Sequence, residues 1–163
     1  MELIEAQIES VVVEKLKTVL EDFEDVSIVG TWQPEDDDEL KGMEEKPMAV
    51  IGVKAFPRSY ETPTVPSTEI QVAVSMAVRS DADFNGMNYL GLTEQISDVF
   101  QEWQNEFSSL GDFNITGKFD VTGFNLTGGD CGIDKDTKCW QYVQGFTVYG
   151  IVAKKTTQHD NNN

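Results

Sequence analysis

The residues whose type and spacing come nearest to chemistry lie in "SDADFNGMNYLGL", residues 80–92. Asp81, Asp83 and Asn85 stand two apart with Gly86 next, the first half of an EF-hand calcium loop: oxygen ligands at positions 1, 3 and 5, a turn-making glycine at 6. The second half disagrees. Position 12, where a bidentate Glu closes the cage, is Leu92, and Glu94 comes two residues late. Position 8 is Asn88 instead of an apolar residue, and the preceding segment alternates like a strand. A structural reading uses every residue, because Asp and Asn satisfy free N–H groups at turns and helix starts and Gly accepts positive φ. The sequence therefore predicts that Asp81, Asp83 and Asn85 bond backbone N–H groups at a strand-to-helix junction. A weak cation site on the same three residues is the alternative.

Other chemistries have less to work with. "EDDDE" (Glu35, Asp36, Asp37, Asp38, Glu39) and "DKD" (Asp134, Asp136) are dense in carboxylates, but adjacent acids in a loop read as a solvated charge run. The one histidine, His159, sits in a polar tail, so no Ser-His-Asp or Cys-His set can be assembled. The glycines of "TGGDCG" (127–132) lead into a strand, whereas a phosphate loop leads into a helix. Cys131 and Cys139 fit no zinc or CxxC spacing and read as plain thiols that could meet across a hairpin. No enzyme activity, cofactor or resident metal is expected.

The elements that would position these residues follow from periodicity. At 163 residues with 39% hydrophobic side chains, the chain suits one folded domain. Ile4, Ile8, Val12, Leu16 and Leu20 stand four apart, an amphipathic helix over 3–23 with Glu5, Glu9, Glu14, Lys17 and Glu21 off the apolar stripe. Strands follow at 26–32 and 47–56, separated by an acidic loop at 33–46. The clearest pattern is 68–79, where Ile70, Val72, Val74, Met76 and Val78 alternate with polar or small residues. Leu92, Ile96, Val99, Trp103 and Phe107 then predict a second helix over 87–107. Strands at 113–126, with a bulge at Gly123-Phe124, and 138–153 form a hairpin around a turn at 127–137. Residues 1–153 are thus read as a single α+β domain of order α-β-β-β-α-β-β, with two helices on one face of a mostly antiparallel sheet of about five strands, and 154–163 as a disordered tail. Strands 47–56 and 138–153 are apolar on both faces, more than two helices would cover, which suggests burial against other subunits or a broader core.

Charge bounds the partners. The formal charge is −17, and residues 1–46 hold 15 acidic and 4 basic side chains against 14 and 8 in the rest. Such a surface repels nucleic-acid phosphate. The acidic N-terminal stretch reads as neither a signal peptide nor a membrane span, so the expectation is a chain that begins life in a cytoplasm.

The amphipathic N-terminal helix, three strands ending in "IQVAVSMAVRS", the acidic turn, the helix "LTEQISDVFQEW" and the closing pair "GKFDVTGFNL" and "GFTVYGIVA" together resemble the tail terminator (tail-completion, head-tail joining) proteins of long-tailed bacteriophages. The likeness covers residues 1–153 and is one of layout, with the acidic insert 33–46 as a departure. It implies a non-enzymatic virion protein, assembled in the host cytoplasm, forming a hexameric ring on the tail tube and joining it to head-connector and neck proteins while DNA passes without specific binding. On that reading the acids of 35–39, Asp134 and Asp136 face partners, and Arg58 and Arg79, isolated cations in an acidic chain, meet a neighbour's carboxylates or stay solvated at strand ends. An acidic DNA mimic that occupies a DNA-binding protein and a calcium-dependent binding module stay open as rivals.

Overall fold

In the computed structural model, which describes residues 3–30, 48–58 and 67–153, the alternating segment becomes the central strand of a five-stranded sheet. Along the chain come α1 (Ile4–Val19), β1 (Val26–Gly30), β2 (Ala49–Ala55), β3 (Ser67–Arg79), α2 (Tyr89–Asn105), a 3-10 helix (Phe107–Phe113), β4 (Phe119–Asp134) and β5 (Cys139–Val152). The spatial order is β1-β2-β3-β5-β4. β1 runs parallel to β2 and every other pair is antiparallel. The α+β class and element order match the sequence reading. The acidic segment 33–46 and the tail 154–163 lie outside the described residues.

Pairing sets the two faces. Ile70, Val72, Val74, Met76 and Val78 of β3 are buried, and register places them beside Ala55, Val53, Ile51 and Ala49 of β2 and Phe146, Tyr142 and Val148 of β5. These join Ile8, Val12 and Leu16 of α1 and Leu92, Ile96 and Phe100 of α2 in one core cluster. Both helices therefore pack on the same face. Where α2 meets β4 and β5, Trp103 lies 4.7 Å from Phe113 and Phe124 lies 4.9 Å from Phe146, centroid to centroid. Such aromatic pairs contribute about 0.5–1.5 kcal/mol each beyond their burial.

Two boundaries differ from the sequence reading. The strand expected from 113 starts at Phe119, because Phe113 ends the 3-10 helix inside the aromatic cluster and Gly117, at φ 75°, turns the chain. The apolar spacing of Phe113, Ile115 and Phe119 is met by a turn as well as by a strand. The expected bulge does occur, between Val121 and Gly123, and a second falls between Leu126 and Gly129. The turn expected over 127–137 is much shorter: β4 runs on to Asp134, and the reversal uses Lys138 at φ 60° with its N–H bonded to the Asp134 carbonyl at 2.8 Å. Pairing with β5 overrides the glycine signal there. Gln144, whose amide donates to the Thr127 and Gly145 carbonyls, lies across Gly129 and leaves no room for a side chain.

Gly150 faces the core opposite Val121, and a Cβ there would collide with the Phe119 ring. Gly150→Ala should therefore destabilise the fold by about 1–3 kcal/mol. Urea unfolding would read this as a lower midpoint at unchanged slope.

Candidate functional site

The stretch 80–92 folds as a turn and a cap. Phe84 and Met87 exchange backbone bonds of 2.8 and 3.1 Å, and the residues between them, Asn85 at φ 54° and Gly86 at φ 92°, make the Asn-Gly hairpin turn that needs two positive φ angles. Asp83 Oδ1 accepts the Gly86 N–H at 2.8 Å, as expected. Asp81 instead takes the Arg79 guanidinium, at 3.3 and 3.4 Å, and that bond holds its exposed carboxyl below the ordinary range. Asn85 contributes backbone geometry, and its side chain is no amide acceptor here. The helix cap is Asn88, whose Oδ1 receives the N–H groups of Leu90 and Gly91. Its position just before the apolar period of α2 was the available signal. Among the described residues, no group of three or more His, Cys, Asp or Glu could hold a metal ion.

Arg58 is engaged within the chain. Its Nε and its backbone N–H both donate to Glu5 Oε2 at 2.9 Å, and the side chains of Arg58 and Glu5 are 12% and 1% exposed. One helical turn on, Glu9 is 2% exposed and its Oε2 accepts the Ala55 N–H at 3.0 Å. Its Oε1 lies over Gly30, where a Cβ would stand 2.6 Å away. Glu5 and Glu9 thus seat α1 on the ends of β1 and β2, off the apolar stripe yet buried. They sit one residue after Ile4 and Ile8, so the buried arc of α1 is wider than the i, i+4 stripe alone, and a pair of acids four apart beside that stripe was the clue. Burial, the largest influence on Glu5, raises its pKa, but the Arg58 bonds together outweigh it and the carboxyl ends below its ordinary 4.5. Arg79, paired with exposed Asp81, is a solvated strand-end charge.

Asp134 and Asp136 lie together at the hairpin tip, where Asp134 Oδ1 accepts the Asp136 N–H at 2.9 Å. Glu35, Asp36, Asp37, Asp38 and Glu39 lie outside the described residues. Cys131 and Cys139 are free thiols. They are not cross-strand partners: Cys131 pairs with Tyr142 and Cys139 with Asp134, so the two point to opposite faces of the sheet.

The remaining feature is the sheet face away from the helices. Its central positions are small, with Gly52 on β2, Ala73, Ser75 and Ala77 on β3 and Gly145 on β5. Around them Phe56, Val143 and Ile151 are 40%, 42% and 44% exposed, whereas Val29, Val50 and Thr147 of the same face are buried. Lys54 lies over the Phe56 ring, 5.1 Å from its centroid. Among the described residues no helix packs on this face, and no described helix is long and apolar enough to cross a membrane. No protein-family model matches the sequence, and no curated protein matches it.

Two outcomes follow. Removing the Glu5 charge leaves Arg58 without its buried carboxylate, so Glu5→Gln should cost about 3 kcal/mol at neutral pH. Because the folded carboxyl lies below its unfolded value, the pair's contribution is complete above about pH 4.5 and is lost as pH falls through the lower folded value. Acid titrations of the two proteins should therefore converge below that pH, and curves that stay parallel would contradict the assignment. Millimolar calcium should leave the thermal midpoint unchanged, and a rise that Asp83→Ala abolishes would reinstate a cation site.

Proposed function

We propose that this chain is a structural protein of a long-tailed phage virion, a tail terminator that assembles into a ring on the last tube ring and presents a surface to the head connector. The observation that carries the reading is the five-stranded sheet with helices on one face and a small-residue, partly apolar second face. Such a face can accept a neighbouring subunit at close approach, and a ring needs two unlike, complementary surfaces on each copy. The element order of the resemblance supports it. So does the charge of −17, since an acidic rim lets DNA pass without adhering. The hexameric stoichiometry and the tube and neck partners come from the resemblance alone.

Negative-stain microscopy of the purified chain, alone and with tail tubes, tests the reading. Rings with a central hole, and tubes that stop growing when the chain is added, are the expected result. Phe56→Glu changes an exposed side chain beside Lys54, so it should keep the monomer's stability within about 1 kcal/mol while abolishing rings. A chain that stays monomeric and leaves tube length unaltered would refute the proposal.

A further inference from the structure

The edge of the sheet formed by β4 is treated differently along its length. In its first half, side chains cap edge amides: Asn114 Oδ1 accepts the Val121 N–H and Gln104 Oε1 the Leu126 N–H, both at 2.8 Å. Beyond the second bulge no such cap follows among the described residues. Residues 127–133 are all exposed, Ile133 by 51%, and the Cys131 N–H is bonded at 2.9 Å to the neighbouring Asp130 Oδ1, the local substitute an edge amide takes. An unpaired strand of this kind is a template for another strand.

We propose that this half of β4 is a docking edge for a second copy of the chain, the two strands pairing antiparallel through residues 129–133 about a two-fold axis at Cys131. The occupant follows from the sequence of the edge itself. A two-fold that joins two antiparallel edges must pair residues of one sheet face, so it passes through a residue and never between two. Centred on Cys131, each larger side chain meets a glycine: Asp130 lies opposite the partner's Gly132, Ile133 opposite Gly129, and Cys131 opposite itself. Centred one residue earlier, Asp130 would meet Asp130. Centred one residue later, it would meet Asp134. Like charges directly opposite are unfavourable, so charge selects the register. Pairing joins two five-stranded sheets into one and uses the sheet edge, leaving the face invoked for the ring untouched.

Sedimentation equilibrium of the full chain gives the test. A Cβ at Gly132 meets nothing within 4 Å, so charged residues fit there in the monomer. Gly132→Asp sets two like-charge pairs across the axis and should weaken dimerisation, whereas Gly132→Lys sets two opposite-charge pairs and should tighten it, each by roughly 2- to 30-fold. Hydrogen-bonded antiparallel partners have Cα atoms about 5.5 Å apart, within disulfide range. Diamide, which takes one proton and one electron from each thiol and is reduced to the hydrazine, should therefore link two copies through Cys131. The link should survive Cys139→Ser and vanish in Cys131→Ser. Equal dimerisation of the Asp and Lys variants, a link made through Cys139, or a chain that stays monomeric at millimolar concentration would each overturn the proposal. Phe56→Glu separates it from the ring reading, since Phe56 lies at the end of β2, away from the β4 edge, and that change should leave the edge pair intact.

Discussion

The strict alternation of β3 is the constraint on which the rest of the molecule depends. This strand is bonded on both sides, to β2 over seven residue pairs and to β5 over thirteen, so its register is transmitted to most of the sheet. A slip of one residue would turn Glu69, Gln71, Ser75 and Arg79 toward the helices and expose five buried apolar side chains, including Ile70 and Val74 at 0% exposure. With the register fixed, β5 delivers Phe146 and Tyr142 to the core and β2 delivers Ile51 and Val53. α2 can then lay Phe100 and Trp103 against them. The same alternation leaves Ala73, Ser75 and Ala77 on the other face, which is why that face is flat.

Apolar packing alone would not fix where α1 sits along the strands. Ile4, Ile8, Val12 and Leu16 repeat every turn, so a helix shifted by one turn would still bury a similar stripe. Glu5 and Glu9 remove that freedom. In the observed seating one carboxylate takes the Arg58 guanidinium and backbone, and the other takes the Ala55 N–H. A one-turn shift would place one acid on the other's partner and take the carboxylate away from either Arg58 or the Ala55 N–H, at a cost of about 1–3 kcal/mol or more. An apolar pair of equal volume could hold the helix as firmly, but it could not refuse the shifted alternatives. Lys15, which reaches Glu102 and Asp112 at 3.6 and 3.9 Å, ties α1 to α2 and the 3-10 helix across the surface, where exposed pairs add little.

The parts legible in the sequence were those in which one period dominates a long window. β3 and α2 could be read from Ile70 to Val78 and from Leu92 to Trp103, and with them the α+β order. Less legible were places where two physical causes use the same residue types. Glycine in "TGGDCG" signals a turn, yet here it serves a bulge and an extended edge, because pairing with β5 is a long-range effect. Glu5 and Glu9 look like solvent-facing helix acids until Arg58 is brought to the first and the Ala55 N–H to the second, each more than forty residues away in sequence. In "SDADFNGMNYLGL" the residue types were rightly assigned to a turn and a cap. Which side chain does which job depended on φ at Asn85 and Gly86 and on where α2 begins, neither of which spacing alone encodes.

Symmetry separates the two association surfaces. A strand edge paired with its own copy closes after two subunits, because each copy uses the same patch, so it can generate neither a ring nor a filament. The small-residue face, if it meets a different patch on the neighbour, does not close until the ring does. On the two proposed readings each contact brings together copies that each carry −17, so long-range repulsion opposes both and salt should favour both. What distinguishes them is the local charge at contact. The face presents Ala73, Ser75, Ala77 and Gly145 at its centre with Lys54, Glu69 and Arg79 around them, whereas the edge carries Asp130 and Asp134, which the register centred on Cys131 keeps apart and its two neighbours do not. On the proposed reading, the edge therefore favours a strand that sets no acid opposite its own.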